Sequence, residues 1–295
     1  MNGIIIKALS GFYYVYSDGE QYECKARGNF RKNGVSPLVG DYVEFEITNG
    51  GCGIVDKILP RKNVIVRPPV ANIDKLFIVS AFSSPQPNTF IIDKMTVIAE
   101  YAGIEPIIVF NKCDMGDFSD ICAVYEKAGF KTLTVSAKSG FGMDGLIAEL
   151  RDSVSAFTGN SGVGKSSLLN LILGEDRIAT GDISEKLGRG RHTTRHTEIY
   201  ALPFGAYVAD TPGFSSLELD NSSYDLKQNL MFCFRDFEPF LSECKFSSCT
   251  HIKEAGCAVL NAVKKGEIAE SRHKSYCELS EEMKNLKPWD AKKIK

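Results

Sequence analysis

The sequence predicts an α/β protein with a flank on either side: first a small closed β-barrel of the OB type, then a mostly parallel α/β sheet, then a short helical, cysteine-rich module. Three observations carry this. Five short runs rich in β-branched and aromatic residues crowd the first sixty positions. After Pro68-Pro69, buried-type apolar runs alternate with helical patterns. From about Asn221 the strands stop and metal-type side chains cluster. The corresponding boundaries are 1–68, 69–222 and 223–295.

The barrel strands are expected at Ile4–Ile6, Phe12–Tyr16, Tyr22–Ala26, Tyr42–Ile47 and Ile54–Leu59, with turns at Ser17-Asp18-Gly19 and Thr48–Gly51. Five strands in so short a span suit a small closed barrel. Arg27, Phe30, Arg31 and Lys32 lie in the loop before the fourth run, where such barrels commonly meet nucleic acid. In the middle unit, strands are expected at Leu76–Ser80, Ile107–Phe110, Thr132–Val135, Val154–Phe157, Ile199–Leu202 and Ala206–Ala209. Helices are expected at Thr89–Ala102, Cys122–Ala128, Met143–Leu150 and Ser166–Leu173. The apolar strand runs imply a sheet covered on both faces.

Composition excludes several classes. With 43% hydrophobic and 24% charged residues, the 295-residue chain is neither disordered nor fibrous. No apolar run approaches the roughly 18–20 residues of a membrane span, and the N-terminus lacks a signal-peptide pattern, so a cytoplasmic protein with no membrane partner is expected. Nine cysteines, an odd number, argue against a secreted disulfide framework. The first unit carries nine Lys and Arg against seven Asp and Glu, the middle 13 against 19, the last 13 against 11. The acidic middle excludes whole-surface binding to nucleic acid and leaves room for basic patches on the flanks. Nothing suggests a dimer seam, so a monomer is expected.

Gly159-Asn160-Ser161-Gly162-Val163-Gly164-Lys165-Ser166 satisfies G-x-x-x-x-G-K-[ST] between a strand and a helix. Its glycines let backbone N–H groups curl around a phosphate, and the helix N-terminus adds its dipole. Lys165 would reach the β- and γ-phosphates and Ser166 would ligate Mg²⁺, with Ser167 completing the expected nucleotide contacts. Asp210-Thr211-Pro212-Gly213 follows the last strand. There Asp210 suits an outer contact to Mg²⁺, and Gly213 can donate its N–H to a γ-phosphate.

Two further motifs read the base. Asn111-Lys112-Cys113-Asp114 follows a strand. Asp114 can accept from N1–H and N2–H₂ of guanine, a donor pair adenine lacks; Lys112 can lay its stem along the purine, and Asn111 can brace adjoining loops. Ser136-Ala137-Lys138 follows the next strand, where the Ala137 N–H can meet guanine O6. Together these favour GTP over ATP. Both precede the phosphate loop in the chain, the reverse of ordinary GTPases, so the domain is circularly permuted. Nearby chain termini make such permutation tolerable. The readings weighed against a GTPase are an ATP-using P-loop enzyme such as a kinase, and an RNA-binding module that nucleotide merely regulates.

With barrel, permuted nucleotide domain and cysteine-rich tail in this order, nearly the whole chain resembles the RsgA (YjeQ/YloQ) family. That resemblance implies GTP hydrolysis stimulated by the small (30S) ribosomal subunit, rRNA contact, release on hydrolysis, and a role in late subunit maturation.

Cys244, Cys249, His251 and Cys257 form C-x₄-C-x-H-x₅-C, a complete tetrahedral zinc shell with no position for water, hence a structural site. The resembled family carries zinc on the matching positions. The segment Gly188–His196 lies where a first switch belongs. Thr194, or alternatively Thr193, would close on Mg²⁺. Phe214 stands where many GTPases place a water-orienting glutamine, so slow intrinsic turnover is expected and His192 is the candidate to position water. His196 and His273 are expected to be bystanders.

Overall fold

The computed structural model describes residues 1–28, 30, 35–48, 51–66, 68–82, 87–174, 197–210 and 224–286. Strands β1 (Asn2–Leu9), β2 (Phe12–Ser17), β3 (Glu20–Ala26), β4 (Tyr42–Ile47) and β5 (Gly53–Ile58) pair in the order β1-β2-β3-β5-β4. Pairing of β1 with β4 closes the ring, with β3 and β5 parallel and the other neighbours antiparallel. This is the expected OB-type barrel. Its interior is filled by Ile5, Val15, Cys24, Val43, Phe45 and Val55. Phe30 joins this core at 9% exposure, so it seals the barrel and does not stand out for a base to stack on. Arg27 is held by Asp56 at 2.6 Å. Arg31 and Lys32 lie outside the described residues.

Pro68-Pro69 falls within a two-stranded ribbon, β6 (Val64–Val66) against β7 (Pro69–Ala71). Pro69 is tolerated as the first residue of a strand with no second neighbour. The ribbon is welded to the barrel, because Asn72 Nδ2 donates to Gly40 O at 2.9 Å and Ala71 N to Val39 O at 2.9 Å.

Beyond it come β8 (Lys75–Ala81), α1 (Thr89–Tyr101), β9 (Glu105–Asn111), α2 (Ser119–Lys127), β10 (Lys131–Thr134), α3 (Met143–Leu150), β11 (Val154–Thr158), α4 (Lys165–Leu173), β12 (Glu198–Ala201) and β13 (Tyr207–Asp210). The spatial order β10-β9-β8-β11-β13-β12 is parallel throughout except for the antiparallel edge strand β12. Two cores cover its faces. One is built from residues such as Ile78, Ile92, Ile108 and Phe110, the other from Phe77, Val109, Leu146, Leu168 and Val208.

The last unit holds α5 (Tyr224–Asn229), α6 (Glu238–Leu241), α7 (Ala258–Lys264) and α8 (Glu270–Glu282). It does not stand alone. Phe234, Phe237, Tyr276 and Leu279 form a core that takes in Val97 of α1. Arg272 crosses the same interface fully buried, with Nη1 on Asp93 Oδ1 at 2.7 Å and Nη2 on Asp236 Oδ1 at 2.9 Å.

Candidate functional site: a nucleotide cleft and a metal knuckle

Parallel strands β9, β8, β11 and β13 end on one rim, and a crevice there is the usual ligand site of an open α/β sheet. The loop after β11 is shaped by close approaches. A Cβ on Gly159 would meet Val79 O at 2.1 Å, and one on Gly164 would meet Asn111 Nδ2 at 2.3 Å. Gly159, Gly162 and Gly164 all have positive φ, which glycine alone adopts freely. Gly164 caps α4 in the left-handed region, aiming the N-terminus of α4 into the loop. Lys165 Nζ donates to Gly159 O at 2.6 Å and Asn160 O at 2.8 Å. Burial pushes its pKa down to about 8, with the Asp210 charge acting the other way. Such an ammonium gains from an added phosphate.

The two upstream motifs meet this loop directly. Asn111, 1% exposed, donates through Nδ2 to Val163 O at 2.8 Å and accepts at Oδ1 from Ala137 N at 3.1 Å. One side chain therefore ties three loops. Lys112 takes a positive φ, and its Nζ donates to Gly162 O at 3.0 Å, spanning the gap between the base-reading loop and the phosphate loop. Ser136 Oγ donates to Asp114 Oδ1 at 2.6 Å. That bond is the main reason the exposed Asp114 carboxyl sits below its usual pKa, with Lys138 and Lys112 contributing. Cys113 N donates to Val135 O at 3.2 Å, locking β9's end to β10's. The Ala137 N–H, expected on the base, is here engaged by Asn111. A cavity of about 370 Å³ opens beside Cys113 and Asp114, walled by Phe118, Ser139 and Phe141.

Asp210 ends β13, half-buried. Its carboxyl is raised by burial first and by Glu198 second, with Lys165 opposing. Ser166 is half-buried and Ser167 exposed on the first turn of α4, and Asn160 and Ser161 complete the loop. A glycine cradle with a desolvated ammonium and a strand-end carboxylate fits a phosphate and its Mg²⁺. Thr193, Thr194, His192, His196, Gly213 and Phe214 lie outside the described residues.

Cys244, Cys249, His251 and Cys257 bring their ligand atoms within 4.8 Å of one another. Cys244 Sγ and Cys257 Sγ are 3.9 Å apart, and each lies 3.5 Å from His251 Nδ1. Tetrahedral zinc with bonds of about 2.3 Å to sulfur and 2.0 Å to nitrogen needs about 3.8 and 3.5 Å, so the set fits that ion. Burial is the main force pushing the Cys249 thiol up to about 12; it also raises Cys257 and lowers His251. His273 takes a structural place here, its Nε2 hydrogen-bonded to His251 O at 2.8 Å. Glu254 shapes the same turn. It accepts from the backbone N–H groups of Thr250, Ile252 and Lys253, and from the Thr250 hydroxyl. Neither role was readable beforehand; His273 and Cys277, spaced four apart, were the faint signal.

Comparison with known proteins matches residues 58–220 to the RsgA GTPase family and residues 2–55 to the RsgA N-terminal domain. The small ribosomal subunit biogenesis GTPase RsgA of Caldanaerobacter subterraneus is 48% identical over 287 residues, covering 96% of each chain. The protein of that name from Shouchella clausii is 44% identical, covering 97% of this chain and 98% of its own. Among solved structures, YjeQ from Thermotoga maritima superposes with a TM-score of 0.80 at 35% identity, covering 97% of this chain and 99% of that one. YloQ, described as a circularly permuted GTPase, gives 0.79 at 37%, covering 97% and 96%.

Proposed function

Because the chain belongs to the RsgA family of GTPases, we propose that it hydrolyses GTP as a late-stage assembly factor of the small ribosomal subunit. The observation that carries this is the contact of Asn111 and Lys112 with the phosphate loop at Val163 and Gly162, some fifty residues later in the chain. That contact supports reading the two motifs and the glycine loop as one cleft.

In this reading Asp114 selects guanine, its carboxylate oriented by the Ser136 hydroxyl. Lys165 exchanges its loop carbonyls for the β- and γ-phosphates, and the charge it meets there restores its own. Ser166 and Thr194 would hold Mg²⁺, with Asp210 as an outer contact, and Gly213 would donate to the γ-phosphate. Mg²⁺, when bound, offsets charge on the phosphate oxygens. His192 positions the attacking water. Cys244, Cys249, His251 and Cys257 hold one structural zinc. The units 1–68, 69–222 and 223–295 act as rRNA-binding barrel, GTPase domain and zinc module. In this reading the protein works as a cytoplasmic monomer. The GTP form binds the subunit and hydrolysis releases it.

The test is GTP turnover measured alone and with small subunits, large subunits or naked RNA. Stimulation by small subunits is expected; stimulation by large subunits alone overturns the partner. His192→Ala is expected to keep nucleotide binding and lose stimulated turnover.

A further inference from the structure

The barrel is hydrogen-bonded onto the nucleotide sheet. Strand β1 pairs antiparallel with β12 at Lys7 and Glu198, just past a bulge between Ile5 and Lys7, while its other edge stays paired with β2 as far as Leu9. Strand β12 in turn pairs antiparallel with β13, Glu198 standing opposite Asp210. Directly opposed residues share a face, with Cβ atoms about 4.5–5.5 Å apart. Lys7, Glu198 and Asp210 thus form one row across three strands, with Asp210 at its inner end. Two carboxylates stand side by side in it, and Lys7 Nζ holds the outer one, Glu198 Oε1, at 3.1 Å. Tyr16 of the barrel packs edge-on against Tyr207 of β13 along the same seam, with ring centroids 6.2 Å apart.

We propose that Lys7 and Glu198 are a positioning pair for the nucleotide site, Glu198 adding negative charge beside Asp210 and Lys7 offsetting it from the barrel. Whatever engages or shifts β1 then changes the field at the divalent cation bound with the nucleotide. This rests on the GTPase reading. The pair is about one-third exposed on both sides (33% and 34%), so its direct effect on stability is small. Its placement opposite Asp210 is what distinguishes it from an ordinary surface ion pair. The raised Asp210 carboxyl, with Glu198 as its second cause, agrees with the geometry.

The test titrates Mg²⁺ against retention of a fluorescent GDP analogue by the full-length protein and follows Tm in parallel. Lys7→Met leaves Glu198 unopposed and is expected to lower the half-saturating Mg²⁺ by about two- to fivefold. Glu198→Gln is expected to raise it by a similar factor. The decisive variant is the exchange Lys7→Glu with Glu198→Lys. It restores the ion pair, hence Tm, while placing a positive charge beside Asp210, so the Mg²⁺ requirement rises above that of Glu198→Gln. If the exchange returns both Tm and the Mg²⁺ requirement to wild-type values, the pair is only a brace and the inference is wrong. The same holds if no variant moves the requirement. A wild-type protein that retains GDP without any Mg²⁺ dependence overturns the GTPase site itself, and this inference with it.

Discussion

At the residue scale, Lys165 shows a site group that works against the empty protein. Its folded pKa near 8 lies below the ordinary 10.5, so the charged form is disfavoured by folding. The sign follows: below pH 8 the full cost is present, and it fades as pH rises toward 10.5. The cost is at most about 3 kcal/mol. Lys165→Met is therefore expected to stabilise the nucleotide-free protein by about 1–3 kcal/mol near pH 7 while abolishing nucleotide retention. Thermal melts at pH 7 and pH 10 should show the gap to wild type shrinking at the higher pH. Asp114 acts on specificity instead. Asp114→Asn replaces an acceptor pair by an amide and is expected to weaken GTP binding by about 100-fold or more, read by competition with ITP and XTP.

At the element scale, α8 is bolted to α1 through Arg272, between Asp93 and Asp236 and under the Phe234 ring at 4.7 Å. Burial raises the Asp93 carboxyl, and the Arg272 charge opposes that rise. Removing the arginine strands a buried carboxylate. Arg272→Met is expected to cost about 3–5 kcal/mol by denaturant unfolding. The Cys3His knuckle joins this core through Cys249 and Cys257. Its thiols hold protons tightly when no metal is present, so zinc must displace them and its affinity falls as pH falls. Chelation is expected to release one zinc per chain and loosen residues around 244–257, while the α1–α8 contact persists. Hydrogen exchange on the two segments checks this.

At the scale of the whole molecule, barrel and nucleotide sheet form one continuous eleven-stranded system, and the β6–β7 ribbon stiffens the chain between them. Gly40 is a tight point of this junction, since a Cβ there would meet Ala71 O at 2.1 Å at a φ of +90°. Gly40→Ala is expected to cost about 2–3 kcal/mol, and limited proteolysis should cut earlier within residues 59–74.

The glycine loop, the two strand-end motifs beside it, the Cys3His cluster and nearly every strand were legible in the chain, because each rests on local spacing that short-range geometry enforces. Asp114 and Lys165 carry their proposed chemistry in their side chains, so a local motif suffices to nominate them. That Phe30 belongs to the barrel core was not legible, because a loop's composition does not reveal which of its side chains faces inward. The Asn111 bridge from Val163 to Ala137, the support His273 gives to His251, and the row Lys7–Glu198–Asp210 join residues far apart in sequence. Their meaning comes from strand order and register. Those are settled when whole surfaces bury one another, and no local pattern records which edge strand the barrel will take as its neighbour.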